Sequence, residues 1–213
     1  ALARSGVGKL TLIDLDEVCV TNTNRQIHAL ENSVGKAKVQ EMAERIRRIN
    51  PDCAVKTRVE FFIEQTAASI LKTRYDYLVD AIDGLSNKCL MIAQCRERDI
   101  PIITCGAAGG RRDGTAVRVA DLNRAKYDKL LFKVRKQLRQ KHGFPRGIKK
   151  WNLACVYSAE TVMYPQADGT VCEAKAESDG SMKLDCEGGL GAATQVTGAF
   201  GFAAVGYVVG ELV

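Results

Sequence analysis

Two short aliphatic runs, KLTLIDLD (9–16) and YDYLVDAID (75–83), each close on a pair of aspartates, and helical periodicity fills much of the chain between them. Apolar runs of this length, without polar alternation, suit strands covered on both faces, as in parallel sheets. From Gly35 to Asn50, the residues Val39, Met42, Ala43, Ile46 and Ile49 recur at helical spacing, and Asn50-Pro51 ends that helix. CAVKTRVEF (53–61) reads as a strand and is followed by a helix around 64–73. NKCLMIAQCRERD (87–99) reads as a helix, and IPIITCGA (100–107) as another strand. The opening ALARSG reads as the last turns of a helix stopped by Gly6. Strand and helix alternating at this rhythm imply right-handed crossovers, hence an α/β fold with a doubly wound, mainly parallel sheet. After Gly110 the pattern changes. GTAVRVADL alternates like a strand, so the C-terminal half is expected to add antiparallel strands and a lid.

Composition narrows the class. The 213 residues are enough for one well-cored domain, and 46% hydrophobic with 26% charged residues is the balance of a soluble globular protein. The eight cysteines are scattered through apolar surroundings without a CxxC pair, which removes the usual structural zinc signature and suits a reducing compartment. No signal peptide is visible. Between Arg124 and Lys150 every charge except Asp128 is positive. Such a block is either a solvated helix face or a surface for a polyanion. It reads as an amphipathic helix with Leu130, Leu131, Val134 and Leu138 inward, followed by a Gly/Pro loop, and 121–152 is expected to be a basic insertion in the domain. Residues 188–210 carry no charge over a bilayer-spanning length, but their glycines, Thr194, Gln195 and Thr197 favour a buried or interface helix over membrane insertion.

In doubly wound sheets, ligands bind at the carboxyl ends of the strands, where Asp14, Asp16, Asp80 and Asp83 fall. An acid there can accept bonds from ribose hydroxyls, and a later one suits Mg2+, which takes one or two carboxylates plus phosphate oxygens. Arg25 and Lys38 would neutralise phosphates, Lys38 from the first turn of a helix. Each residue alone is an ordinary surface charge. Together on strand tips they favour a nucleotide site.

LTLIDLDEVCVTNTNRQ, a lysine thirteen residues after the arginine, and VDAID resemble the ThiF/MoeB/HesA family, relatives of ubiquitin-activating enzymes that adenylate a carboxylate with MgATP on a Rossmann-like domain. TNTNRQIHAL, TCGAAGG, YPQADGTVC and GLGAAT narrow the resemblance to the tRNA threonylcarbamoyladenosine dehydratase branch, which closes that nucleoside into a cyclic form. The resemblance implies ATP and Mg2+ as cofactors and one ThiF-type adenylating domain over 1–213. It implies Asp14 on the ribose, Asn22, Arg25 and Lys38 at the phosphates, and Asp83 on Mg2+, with Arg25, Lys38 and Asp83 carrying the chemistry. Asp16, Asn24 and Gln26 take supporting positions, and packing is the expected role of His28. Cys186, just before the Gly-rich helix, stands where related branches carry a thioester or persulfide cysteine, and is the candidate reactive thiol. Cys105 and Cys155 read as core residues.

The family's N-terminal strand, its Gly-x-Gly-Gly-x-Gly loop and an arginine nearby have no counterpart here, so the chain reads as a trimmed form and weak or absent ATP binding is expected of it. Lys133, Arg135, Lys136 and Arg139 are the residues expected on tRNA, through phosphate contacts rather than base stacking, since aromatics in the block are few. A homodimer, a cysteine desulfurase with its sulfur acceptor as partners, and a cytoplasmic location complete what the family implies, with 188–210 as the one candidate for membrane contact. Two other readings stand beside the dehydratase. One is an adenylyltransferase for a ubiquitin-like sulfur carrier, against which the absent zinc pairs and the basic block count. The other is a non-catalytic binding module.

Overall fold

The computed structural model describes residues 1–165, 170–173 and 191–213. A single 3-10 turn, Leu2–Ser5, stands where the sequence suggested the end of an α-helix, and Gly6 closes it at φ +82°. Strand β1 (Lys9–Ile13) leads through α1 (Lys38–Ile49) to β2 (Ala54–Arg58), which lies parallel to β1 with Lys9 opposite Ala54 and Ile13 opposite Arg58. Helix α1 buries Val39, Ala43 and Ile46, and the Asn50 N–H closes it on the Ile46 carbonyl. Then follow α2 (Glu64–Ile70), β3 (Leu78–Asp80), α3 (Leu85–Glu97), β4 (Ile102–Cys105), β5 (Val117–Asp121), α4 (Lys129–Lys141), β6 (Ala154–Ser158), the short pair β7 (Tyr164–Pro165) and β8 (Val171–Cys172), and α5 (Thr194–Leu212).

The main sheet has the order β3-β4-β6-β5, parallel at the first two interfaces and antiparallel at the last. The expected α/β plan and the antiparallel additions are therefore present. The parallel strands, however, form two ladders instead of one continuous sheet. Among the described residues β1 pairs only with β2, and β3 only with β4. Ile13 at the tip of β1 and Ile82 beyond β3 nevertheless pack on the same hydrophobic cluster, so one core joins the two ladders.

Side chains on the central strands alternate between two cores, as a period of two requires. Ile102 and Cys155 point into the cluster made with α2, α3 and α4, while Ile103, Ala154 and Val156 point to α5. Both faces are covered, the condition for a doubly wound sheet. Strand β6, central and almost wholly buried, was not anticipated from the sequence, although Cys155 within it was read as a core residue. Helix α5 buries the stripe Val196, Phe200, Ala204 and Val208 against this sheet. The described part of 188–210 is thus a core helix, and among the described residues no helix is long and apolar enough to cross a membrane. Helix α4 buries Leu131, Val134 and Leu138 completely, with Leu130 half-buried on the same cluster.

Where β4 ends, the chain passes under α4. Asp128 caps α4 by accepting from the Leu131 N–H (2.8 Å), and its other oxygen accepts from the Ala107 N–H (2.9 Å). Gly106 leaves the room for this: a Cβ there would stand 2.2 Å from Asp128 Oδ2. Gly106→Ala is expected to displace the cap and cost about 2 kcal/mol of stability, measured by urea unfolding at unchanged m-value.

Candidate active site

The carboxyl end of β1 builds the first half of the site. The Asp14 N–H donates to the Arg58 carbonyl (3.2 Å) at the end of the ladder, and Asp14 Oδ1 accepts from the Asp16 N–H (2.8 Å). Residues 16–18 then run antiparallel to 35–38, with bonds from Val18 N to Lys36 O (2.8 Å), Gly35 N to Val18 O (2.9 Å) and Lys38 N to Asp16 O (3.0 Å). Gly35 makes the turn at φ +83°, where an L side chain is strained. This folding-back delivers Lys38 as the first residue of α1, where the free N–H groups of a helix start favour anions. Its Nζ lies 2.8 Å from Asp16 Oδ2, and its side chain is 13% exposed against 52% for Asp16. The lysine is held with its stem buried beside an open carboxylate.

The motif that follows proves largely architectural. Asn22 is 6% exposed, and its Oδ1 accepts from the Cys19 N–H (3.0 Å). Arg25 Nη1 donates to the Thr21 carbonyl (2.7 Å) and to Asn24 Oδ1 (3.0 Å). Asn24 Nδ2 donates to the Ala192 carbonyl (3.1 Å), Thr194 Oγ1 to the Asn24 carbonyl, and Thr197 Oγ1 to the Arg25 carbonyl (3.1 Å). These bonds pin the loop to the start of α5, a link of distant segments that local sequence does not announce. Gln26 Oε1 and both ring nitrogens of His28 are buried without partners among the described residues. Burial, and then the charge of Lys38, push His28 below the ordinary imidazole range, so the ring stays neutral at pH 7. Unmatched buried polar atoms near the Lys38 ammonium would be satisfied by a ligand with its own hydrogen-bonding groups, such as a nucleotide.

The other candidate acids lie at the end of β3. Asp80, one of the four aspartates that the sequence puts at strand tips, is consumed inside the fold. It is 1% exposed, and its Oδ2 accepts from Lys88 Nζ (2.8 Å) and Thr104 Oγ1 (2.6 Å), both fully buried. Its Oδ1 accepts from the Ile82 N–H (2.9 Å), which bends the chain out of the sheet and shortens β3 from the anticipated 75–83. Asp83, one step beyond this bend, is exposed, and its carboxylate has no hydrogen bond or ion pair among the described residues. An open carboxylate without a protein partner fits Mg2+, which needs only one or two such ligands when phosphate oxygens supply the rest. Lys88 and Thr104 escaped sequence reasoning, because a lysine inside NKCLMIAQCRERD reads as the polar face of a helix.

Among the cysteines, Cys186 lies outside the described residues. Cys155, Cys89 and Cys95 are buried, and burial pushes their thiols up to about 12, about 11 and about 12. Cys105 is half-buried by exposure, and burial raises it to about 11. Cys19 is exposed, and its sulfur accepts from the Thr21 hydroxyl (3.2 Å), which lowers its thiol pKa.

The basic helix divides its charges. Lys133 and Lys136 are exposed. Arg135 donates to the Leu122 carbonyl (3.2 Å), and Arg139 donates to Asn123 Oδ1 and stacks 5.1 Å from the Trp151 ring centre. Two of the four residues expected on RNA therefore also lace α4 to the loop after β5, and Trp151 is turned inward against Phe144.

The chain is similar to known proteins. The ThiF family model matches residues 1–204. The tRNA threonylcarbamoyladenosine dehydratase of Escherichia coli K12 is 47% identical over 213 residues, all of this chain and 80% of that protein. A solved structure named TcdA (CsdL) superposes with a TM-score of 0.89 at 45% identity, covering 99% of this chain and 79% of the other. The E. coli dehydratase in complex with ATP superposes with a TM-score of 0.86 at 42% identity, covering 99% and 78%. The molybdopterin-synthase adenylyltransferase of E. coli K12 is 33% identical, but over 50% of this chain and 42% of its own length.

Proposed function

The chain belongs to the ThiF family, and from that premise we propose that it catalyses the ATP-dependent dehydration of threonylcarbamoyladenosine in tRNA. The observation that carries this reading is the 47% identity to a named dehydratase along the whole chain, β5, α4 and β6 included. A sulfur-carrier adenylyltransferase matches only half of it.

The substrate carboxylate is a poor electrophile. Its oxygen attacks the α-phosphate of ATP, pyrophosphate leaves, and the carbonyl now bears AMP as its leaving group. The carbamoyl nitrogen of the same nucleoside then attacks that carbonyl, loses its proton and expels AMP. One carboxylate oxygen departs with AMP, so the nucleoside has lost one water. Because nucleophile and electrophile belong to one molecule, effective concentrations on the order of 10^5 M suffice without an enzymatic nucleophile. Catalysis rests on holding charge at the phosphates.

We assign Lys38, on the helix start beside Asp16, to the developing charge at the α-phosphate, and Arg25 to the neighbouring phosphates. Asp14, at the tip of β1, takes the ribose. Asn22 keeps its oxygen on the Cys19 N–H and acts chiefly by shaping the turn that carries Arg25. Asp83 would hold Mg2+, which supplies neutralising charge between phosphate oxygens. Lys133 and Lys136 contact RNA phosphates, and Arg135 and Arg139 add charge from their laced positions. The homodimer and the cytoplasmic location are read from the family in the same spirit.

Pyrophosphate exchange tests the choice of substrate. Exchange into ATP is expected to require tRNA bearing threonylcarbamoyladenosine. Exchange stimulated by a ubiquitin-like carrier and indifferent to tRNA would move the protein to the sulfur-carrier branch.

A further inference from the structure

The start of α4 frames a cavity of about 410 Å3 lined by Tyr127, Lys129, Phe132, Arg135, Thr161 and Tyr164, among others. It lies beyond the carboxyl ends of β4 and β6, since Asp128 on its wall is bonded to Ala107 and Thr161 follows β6. That is the ligand edge of a parallel sheet, at a different strand pair from the Asp14–Lys38 corner.

Its rim is built in a way that stability does not require. Phe132 is 61% and Tyr127 63% exposed, two large aromatic rings beside one opening. Tyr127 sits at φ +59°, a conformation that glycine or asparagine adopts with less strain than tyrosine. It is held there by Arg111, 2% exposed, whose Nη2 donates to the Tyr127 carbonyl (2.6 Å). Strained backbone conformations cluster at ligand clamps and active sites, and this one holds an aromatic residue at the rim. Cations line the same walls: the Arg135 guanidinium stands 6.0 Å from the Phe132 ring centre, and Lys129 Nζ donates to the Tyr164 hydroxyl, while the two carboxylates that also line it are engaged, Asp128 by the Leu131 and Ala107 N–H groups and Glu173 by the Thr161 hydroxyl. Exposed aromatic rings beside cations, at the head of a basic helix, suit an unpaired base and its phosphate.

We propose that this cavity receives an unpaired nucleobase of the tRNA, stacked on Phe132 and Tyr127, with Lys129 and Arg135 at its phosphate. The proposal rests on the dehydratase reading and extends it, because it replaces purely backbone recognition by the basic helix with a base-stacking site.

Binding of two RNAs tests it: a tRNA stem-loop with unpaired loop bases and a fully paired duplex of equal length, each titrated across a salt series. Phe132→Ala and Tyr127→Gly are each expected to weaken stem-loop binding about tenfold, with the salt slope and the duplex affinity unchanged. Phe132→Trp restores stem-loop affinity. Tyr127→Gly relieves the left-handed strain, so its thermal midpoint does not fall, which separates a binding role from a structural one. Lys136→Ala instead lowers the salt slope by about one for both RNAs. Stem-loop affinity unchanged in Phe132→Ala and Tyr127→Gly, while Lys136→Ala still weakens binding, overturns the proposal and leaves the dehydratase reading standing. Equal losses for stem-loop and duplex overturn it as well. Wild-type protein that binds neither RNA overturns the dehydratase reading and the pocket with it.

Discussion

Lys88→Met is expected to lower the stability of the fold by about 4 kcal/mol, the cost of leaving one partner of a buried ion pair uncompensated. Asp80 and Lys88 are both fully buried as side chains, 2.8 Å apart. Removing the ammonium strands a carboxylate whose remaining bonds come from the Thr104 hydroxyl and the Ile82 N–H. In a domain of this size the loss corresponds to a fall of about 10 °C in thermal midpoint. Asp80→Leu combined with Lys88→Met should recover part of it, because an apolar pair needs no counter-charge. Recovery remains incomplete, since Thr104 and Ile82 lose their acceptor. Calorimetry of the two single variants and the double variant checks the ordering. A double variant as unstable as the sum of the singles would mean that the pair does not act as a unit. The consequence reaches function, because the Asp80–Ile82 bond sets the bend that carries Asp83.

Lys38→Met carries a large expected effect on rate. Lys38 Nζ is anchored by an exposed Asp16, so the ion pair contributes little to stability and the thermal midpoint should stay near that of the wild type. Turnover of tRNA in the presence of saturating ATP should fall about 10^2- to 10^3-fold, the usual loss when one preorganised donor to a developing charge is removed. Single-turnover rates of AMP formation, compared with ATP affinity, separate the two contributions. A variant that loses ATP affinity but keeps its single-turnover rate would place Lys38 in ground-state binding alone.

Much of the plan was legible because period and punctuation were local. The apolar run of β1, the stripe Val39, Ala43, Ile46 of α1 and the stop at Asn50 are each read from a few neighbouring residues. Helix α4 was legible for the same reason, with Leu131, Val134 and Leu138 inward as expected. What escaped depended on distant partners. Strand β6 is only five residues long, and nothing in ACVYS distinguishes a central strand from a loop until β4 and β5 flank it. Asp80 looked like Asp83 in sequence, and only Lys88 and Thr104, brought in from α3 and β4, separate a buried structural carboxylate from an open one. Asn22 and Asn24 read from the sequence as parts of one nucleotide-site motif, but their bonds to Cys19 and to Ala192 show a scaffold that no spacing rule reveals. The few aromatics of the basic segment argued against stacking by number. Their placement argues for it, since Tyr127 and Phe132 border one cavity while Trp151 turns inward.

The most direct measurement incubates the full-length gene product with ATP, Mg2+ and tRNA bearing threonylcarbamoyladenosine, then digests the RNA and weighs the nucleoside. The account predicts a product lighter by one water, formed with stoichiometric AMP, absent without ATP and absent in Asp83→Ala, whose fold is unchanged because its carboxylate has no partner among the described residues. A nucleoside of unchanged mass alongside ATP consumed, or water loss undiminished in Asp83→Ala, would contradict it.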